Sequence, residues 1–379
     1  MTRIEWLEGG ASRSAQWRSE SGWPAPKKVV VADDTMSADA AYRLALDGTA
    51  LLWRGDFQNA RQLLQALVRR IEHKGDRARR AKPGKTPATP LEAFHRHRLQ
   101  QLQRARTLAM LVIPFEADHG IPLRRAPDAR LACLEAYGPS LEPYIASLRE
   151  LLGVIGAHEW RRKGVMIPAL DERIHPWYGV FSPVRGEYVE LVAQAPLPTG
   201  ARLAFDIGAG TGVLSAVLAR RGLQVLATDM DTRALGCARE NISRLGLASQ
   251  VDIVQADLFP EGRAPLVVCN PPWLPGKPSS AIEYAIYDPD SRMLRGFLDG
   301  LAAHLEPGGE GWLIMSDLAE HLGLRPREQL LGWIAAAGLE VVARHDTRPV
   351  HPRASDQDDP LHMARSQEVT SLWRLRAAG

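Results

Sequence analysis

Arg202-Leu-Ala-Phe-Asp-Ile-Gly-Ala-Gly-Thr-Gly-Val-Leu214 passes from an apolar strand through glycines directly into a helical pattern. Gly208, Gly210 and Gly212 leave the backbone bare where a strand hands over to a helix, so a ligand can approach main-chain N–H groups at a helix N-terminus. The spacing discriminates between ligands. A dinucleotide fingerprint needs its third glycine where this chain has Val213, which argues against nicotinamide or flavin. Outward from this stretch, from Ile174 to the end, short apolar runs alternate with helical patterns, the grammar of parallel strands joined by crossover helices. Strands are expected at 202–207, 224–229, 251–256, 266–270, 311–316, 339–345 and 368–375, and helices at 185–194, 212–221, 231–245, 290–305 and 325–337. The last two strands have no expected helix between them and should form an antiparallel hairpin. The fold class is therefore α/β, with a sheet of about seven strands.

Each of the next strands ends in chemistry. Val225-Leu-Ala-Thr-Asp229 closes with a carboxylate, and Gln255-Ala-Asp-Leu-Phe259 supplies Asp257 and Leu258. One Asp at a strand end is ordinarily a helix cap or turn residue. Three in succession, counting Asp206 on the first strand, converge on the crevice at the carboxyl ends of a doubly wound sheet. The fourth strand, Leu266-Val-Val-Cys-Asn-Pro-Pro-Trp273, ends at Asn270, after which two prolines fix the chain.

These motifs, in this order, resemble the class I S-adenosylmethionine-dependent methyltransferases, and Asn270-Pro-Pro-Trp273 resembles the (Asn/Asp)-Pro-Pro-(Tyr/Phe/Trp) motif of their small-domain amino-methyltransferase group. Tyr178-Gly-Val-Phe-Ser-Pro-Val-Arg-Gly-Glu-Tyr188 resembles the Pro-Arg-x-Glu-Thr segment of the release-factor and ribosomal-protein glutamine methyltransferases, with the Pro183 to Arg185 spacing longer by one residue. The resemblance covers roughly residues 175–376 and implies a Rossmann-like seven-stranded domain binding S-adenosyl-L-methionine. It assigns Asp206, Gly208, Ala209, Gly210, Gly212, Asp229, Met230, Asp257, Leu258 and Asn270 to the cofactor. Asp206 would face the ammonium group, Asp229 the ribose hydroxyls and Asp257 the adenine amine. Asn270, Pro271, Pro272 and Trp273 would carry catalysis, with Phe181, Arg185 and Trp273 touching substrate. A planar amine or amide nitrogen is a poor nucleophile, so the group would work by orientation. The Asn270 oxygen and Pro271 carbonyl would accept the N–H bonds while Trp273 stacks on the flat group. Neither a metal nor a strong base is needed. Leu274 to Pro289 is expected to act as a lid beside the substrate. His351, His362, Asp356, Asp358 and Asp359 on the 346–366 connector lack helix-fixed ligand spacing, and no metal is expected.

The rest of the chain reads differently. Residues 1–174 carry 28 Lys/Arg against 20 Asp/Glu, whereas 175–379 carry 19 against 24. Thirteen basic and three acidic residues fall between Arg61 and Met110, a density that would attract phosphates if it lies on one face. Residues 1–30, with Gly9-Gly10, several serines and Pro24-Ala-Pro26, are expected to be a flexible tail. Residues 31–174 are expected to be a basic, mainly helical accessory domain that recognises substrate, and 175–379 the catalytic domain. Helices are expected after Asp56 as N-cap, from Leu91 to Pro114, at 128–137 and at 140–162, with Lys82 to Pro90 a mobile connector. No apolar run approaches the ~20 residues that span a bilayer, and the N-terminus carries no signal-like stretch. Cys133, Cys237 and Cys269 show no CxxC spacing. A cytoplasmic protein follows, with no membrane or DNA partner. The acceptor is expected to be a glutamine in a translation protein. The alternatives are a base amine of structured RNA, or a non-catalytic, cofactor-binding ribosome assembly factor.

Overall fold

The computed structural model describes residues 2–81, 89–183, 186–278, 281–349, 356 and 359–378. The chain divides into two compact units, one of Met1–Ala88 and His95–Glu159, the other of Thr89–Phe94 and Trp160–Gly379. In chain order the elements begin with β1 (Arg3–Glu8), β2 (Ala11–Trp17), β3 (Lys28–Ala32), α1 (Ala38–Leu46), β4 (Thr49–Trp53), α2 (Phe57–Ala81) and α3 (Pro90–Ala109). They continue with β5 (Leu111–Phe115), α4 (Arg130–Tyr137), β6 (Tyr144–Ser147) and α5 (Leu148–Lys163).

The first unit corrects two expectations. It is not an all-helical domain, because its helices accompany a six-stranded mixed sheet of order β1-β2-β6-β5-β4-β3 that the helical expectation did not include. Nor are residues 1–30 a tail. Glu8 pairs with Ala11 across Gly9 and Gly10, whose φ angles of 60° and 78° suit the tight turn of a two-residue hairpin. Ile4 and Trp17 from this hairpin are buried against Ala50, Leu52, Val112 and Ile145. Strands β4, β5 and β6 are buried on both faces, so their apolar runs lack the two-residue alternation that separates strand from helix. The helix expected at 140–162 accordingly starts only at Leu148, after a strand. Asp56 does cap α2, its Oδ1 accepting the Gln58 N–H at 2.8 Å. Residues 82–88 of the expected connector lie outside the described residues.

The second unit follows its sequence closely. After the short hairpin β7 (Val165–Ile167) and β8 (Glu172–Ile174) come α6 (Glu187–Gln194), β9 (Leu203–Ile207), α7 (Val213–Arg220), β10 (Gln224–Asp229) and α8 (Thr232–Arg244). Next are β11 (Val251–Gln255), β12 (Ala264–Cys269), α9 (Arg292–His304), β13 (Leu305–Ser316), α10 (Leu318–His321), α11 (Arg327–Ala336), β14 (Leu339–Thr347), α12 (His362–Gln367) and β15 (Thr370–Ala377). The sheet has seven strands in the order β11-β10-β9-β12-β13-β15-β14. Only β15 runs antiparallel to its neighbours, pairing with β13 and β14 as expected of the terminal strands, although α12 interrupts the connector between the last two. Alternate residues of the central strands enter two cores. Ala204, Val268 and Ile314 pack with α6, α7 and α8; Phe205, Val267 and Leu313 pack with α9 and α11. Strand order reverses between β9 and β12, so the carboxyl ends of those strands open the crevice where such sheets bind ligands. No helix among the described residues is long and apolar enough to cross a membrane.

Candidate active site

Four strand ends, those of β9, β10, β11 and β12, build the site. Beyond β9 the N–H groups of Gly208 and Ala209 both donate to the Thr228 carbonyl of β10, at 2.9 and 2.8 Å, which ties the glycine loop to its neighbour strand. Gly208 has a φ of 80°, a conformation that favours glycine, and a Cβ there would meet only the end of the flexible Met293 side chain, its Cε at 2.7 Å. Gly210 donates its N–H to Asp229 Oδ2 at 3.0 Å, while Asp229 Oδ1 accepts from Asp231 N at 2.9 Å. The expected ribose ligand is therefore also the brace of the loop, and a carboxylate has further lone pairs for hydroxyl donors. Burial raises its pKa. Met230, the next residue, is exposed.

Asp206 on β9 is 1 % exposed, and its Oδ2 accepts the Ser215 hydroxyl at 2.5 Å. Burial pushes its carboxyl up to about 6, with Asp229 adding repulsion, against the hydrogen bonds from Ser215. No ion pair joins a cation to Asp206 or Asp229 among the described residues. Glu187, on α6, has a buried Oε1 without a hydrogen-bond partner. It and Asp206 both act electrostatically on the buried Tyr188 hydroxyl and raise its pKa, after burial itself. Among the described residues the region around the glycine loop is thus acidic and uncompensated, which suits a cationic ligand.

Asp257, expected at the adenine amine, is half-exposed and bonds Arg292 Nη2 at 2.6 Å. Leu258 takes a left-handed φ of 74°, its carbonyl accepts the Thr228 hydroxyl at 2.5 Å, and its side chain packs on Gly296 of α9. Beyond β12, Asn270 is half-buried, Pro271 buried, and Trp273 half-buried against both cores. The Trp273 indole N–H donates to Asn270 Oδ1 at 2.9 Å. The oxygen expected to receive an acceptor N–H therefore already holds one donor and keeps one lone pair. The expected lid folds back on its own start: Leu274 N–H donates to Ile286 O at 3.1 Å and Asp288 N–H to Leu274 O at 2.9 Å. Ser279 and Ser280 lie outside the described residues.

Phe181 is half-buried, and Arg185 lies outside the described residues. Of the connector acids and histidines, so do His351 and Asp358; no group of three or more potential ligands able to hold a metal occurs among the described residues. Three residues were missed. Asn241, fully buried on α8, donates to Thr211 O at 3.0 Å and His175 O at 3.3 Å, joining the glycine loop to the segment before α6. Its signal was a polar residue in the apolar stripe Ala234, Ala238, Ile242. Ser215 was likewise the one hydroxyl in a wholly apolar stretch of α7. Asp288 accepts the Met293 and Leu294 N–H groups, both at 3.1 Å, and so caps α9 over the crevice.

The sequence model of the methyltransferase small domain matches residues 177–323. The chain is similar to the release factor glutamine methyltransferase of Cereibacter sphaeroides, 29% identical over 170 residues, which is 41% of this chain and 58% of that protein. It is similar to the ribosomal RNA small subunit methyltransferase C of Alcanivorax borkumensis, 31% identical over 159 residues, 40% of this chain and 45% of the relative. It is also similar to the tRNA1(Val) (adenine(37)-N6)-methyltransferase of Bacteroides fragilis, 31% identical over 161 residues, 38% of this chain and 67% of the relative. The chain thus spans 45% to 58% of the first two of these proteins. With the glycine loop, the acid-lined crevice and Asn270-Pro-Pro-Trp273 all inside or beside the matched residues, the chain belongs to the methyltransferase small-domain family of S-adenosylmethionine-dependent methyltransferases.

Proposed function

We propose that the second unit methylates a planar nitrogen, in first place the side-chain amide of a glutamine in a translation protein. The observation that carries the reading is Asn270-Pro-Pro-Trp273 at the carboxyl end of β12, beside the glycine loop that ends β9. The residues present fit S-adenosylmethionine. Asp206 and Glu187 lie in an acidic region suited to its positive charge, and Asp229 presents an acceptor for ribose hydroxyls. Gly208, Ala209, Gly210 and Gly212 give close main-chain approach, with Met230, Asp257 and Leu258 toward the base. When bound, the cofactor supplies a methyl group on a sulfonium, already electrophilic.

The chain's own residues then have a narrow task. Asn270 Oδ1 accepts one N–H of the acceptor with its remaining lone pair, and the Pro271 carbonyl accepts the other. Holding both N–H bonds turns the lone pair out of conjugation and toward the methyl. Trp273 and Phe181 flank the flat group, and Arg185 is a further substrate contact. The proton is lost after transfer, so no strong base is needed. The glutamine acceptor is favoured by the likeness of Tyr178 to Tyr188 to the glutamine enzymes' segment. An RNA base amine is the second reading, favoured by the basic α2–α3 region, where Arg61 and Arg69 are exposed. In either case we assign acceptor recognition to the first unit and place the protein in the cytosol. The experiment is labelled methyl transfer into an extract of source cells lacking the gene. Protease-sensitive label supports glutamine, RNase-sensitive label supports the base amine, and no label from active-folded protein contradicts both.

A further inference from the structure

We propose that Arg325 is a positioning residue for methyl transfer. It holds the Trp273 carbonyl, and Trp273 in turn holds the Asn270 carboxamide. The proposal rests on the reading of Asn270 as the group that orients the acceptor nitrogen.

Arg325 lies in the turn between α10 and α11, beyond the residues matched by the family model, and is 3 % exposed. Its Nη2 donates to Trp273 O at 3.2 Å, and its Nη1 reaches Ser291 Oγ at 3.5 Å. No ion pair joins it to a carboxylate among the described residues. The two acids that act on it electrostatically are bonded elsewhere, Glu320 to Arg327 and Asp288 to the α9 N–H groups. A buried guanidinium without a paired anion is costly, and a neutral side chain would fill the same space more cheaply. Its partner Ser291 and the neighbouring Asp290 both hold left-handed φ angles, 53° and 56°, a second local strain at the same spot. Such costs collect where geometry must be held, and what is held is the loop carrying Asn270. Leu274, the residue after Trp273, is seated among Leu318, Leu322 and Leu361, so the loop is also anchored immediately after the carbonyl that Arg325 binds.

The consequence at Asn270 is specific. An indole N–H only donates, so the carboxamide atom facing it must be the oxygen. The amide is thereby fixed in one of its two orientations, the one in which Oδ1 retains a lone pair for the acceptor. A phenyl ring at 273 would stack as well but could not set that orientation.

The test uses the full chain, 15N-labelled, with the Trp273 indole resonance assigned by its loss in Trp273→Phe. Arg325→Leu and Arg325→Lys are compared with wild type for that resonance, melting temperature, S-adenosylmethionine affinity, and labelled methyl transfer into the gene-deleted extract. In Arg325→Leu the indole resonance is expected to move toward its position in Asn270→Ala, and transfer to fall by roughly tenfold to a hundredfold. The melting temperature should change little, because removal of an unpaired buried charge offsets the loss of the donor to the Trp273 carbonyl. Cofactor affinity should stay within about threefold, since the contact is made only on the acceptor side. Arg325→Lys should fall between wild type and leucine in both resonance and rate; if the leucine variant does not fold, the lysine variant decides. An unmoved indole resonance, or wild-type transfer in both variants, overturns the proposal alone. Wild-type protein that binds cofactor but transfers no label overturns the Asn270 reading, and the proposal with it.

Discussion

Asp206→Asn should stabilise the protein while weakening its hold on the cofactor. Burial raises the Asp206 carboxyl to about 6, whereas in the unfolded chain it returns to 3.8. The folded state therefore favours the protonated form. Its contribution to stability is complete below the unfolded pKa and is lost as pH rises through 6. Linking the two values gives a cost of about 3 kcal/mol at pH 7.5 and about 1 kcal/mol at pH 4.5 for keeping this group as an acid. Asparagine avoids the cost and still offers an oxygen to the Ser215 hydroxyl. For a unit of this size ~3 kcal/mol corresponds to a melting-temperature gain of roughly 6–12 °C at pH 7.5, shrinking toward pH 4.5. The same charge is what the account uses to attract a cationic ligand, so saturating S-adenosylmethionine should raise the melting temperature of wild type more than that of the variant. Thermal melts of both proteins across pH 4.5–8, with and without cofactor, read every term. A variant no more stable than wild type at pH 7.5, or a gain that does not change with pH, would refute the electrostatic argument. An equal cofactor-induced shift in both proteins would refute the functional one.

Asn270→Ala should lower the methyl-transfer rate by about 10²–10³ while cofactor affinity changes far less, measured by labelled transfer alongside calorimetry. Asp229→Ala removes the acceptor of the Gly210 N–H as well as the proposed ribose ligand, and should weaken cofactor binding by about 2–3 kcal/mol in the same calorimetry. Asn241→Ala leaves the Thr211 and His175 carbonyls without their buried donor and should cost about 1–3 kcal/mol of stability in denaturant unfolding. Trp17→Ala should cost about 3–5 kcal/mol in the first unit if the β1–β2 hairpin is part of its core, and almost nothing if those residues are a tail.

The second unit was legible because its strands are punctuated. Leu266 to Cys269 runs into Asn-Pro-Pro, Phe205 and Ile207 run into glycines, and helices such as α8 and α9 show an apolar stripe. The first unit was not, for a physical reason. Thr49–Trp53, Leu111–Phe115 and Tyr144–Ser147 are buried on both faces and too short to announce a period, so the first was given no element and the other two merged with neighbouring helices. Gly9-Gly10 read as looseness because its meaning, a hairpin turn, depends on the pairing of Arg3–Glu8 with Ala11–Trp17. At the site, residue types and their strand ends could be read from spacing. The Trp273 to Asn270 hydrogen bond, the Asp257 to Arg292 pair and the Arg325 grip on the loop could not, since each is made by the folded chain rather than by a motif.

The central claim is that the carboxyl edge around β9 and β10 holds S-adenosylmethionine. Titration calorimetry of the intact chain with that compound should give saturable uptake at one site per chain, retained in Asn270→Ala and severely weakened in Asp229→Ala. Absence of heat with well-folded wild-type protein, or uptake indifferent to Asp229→Ala, would contradict it.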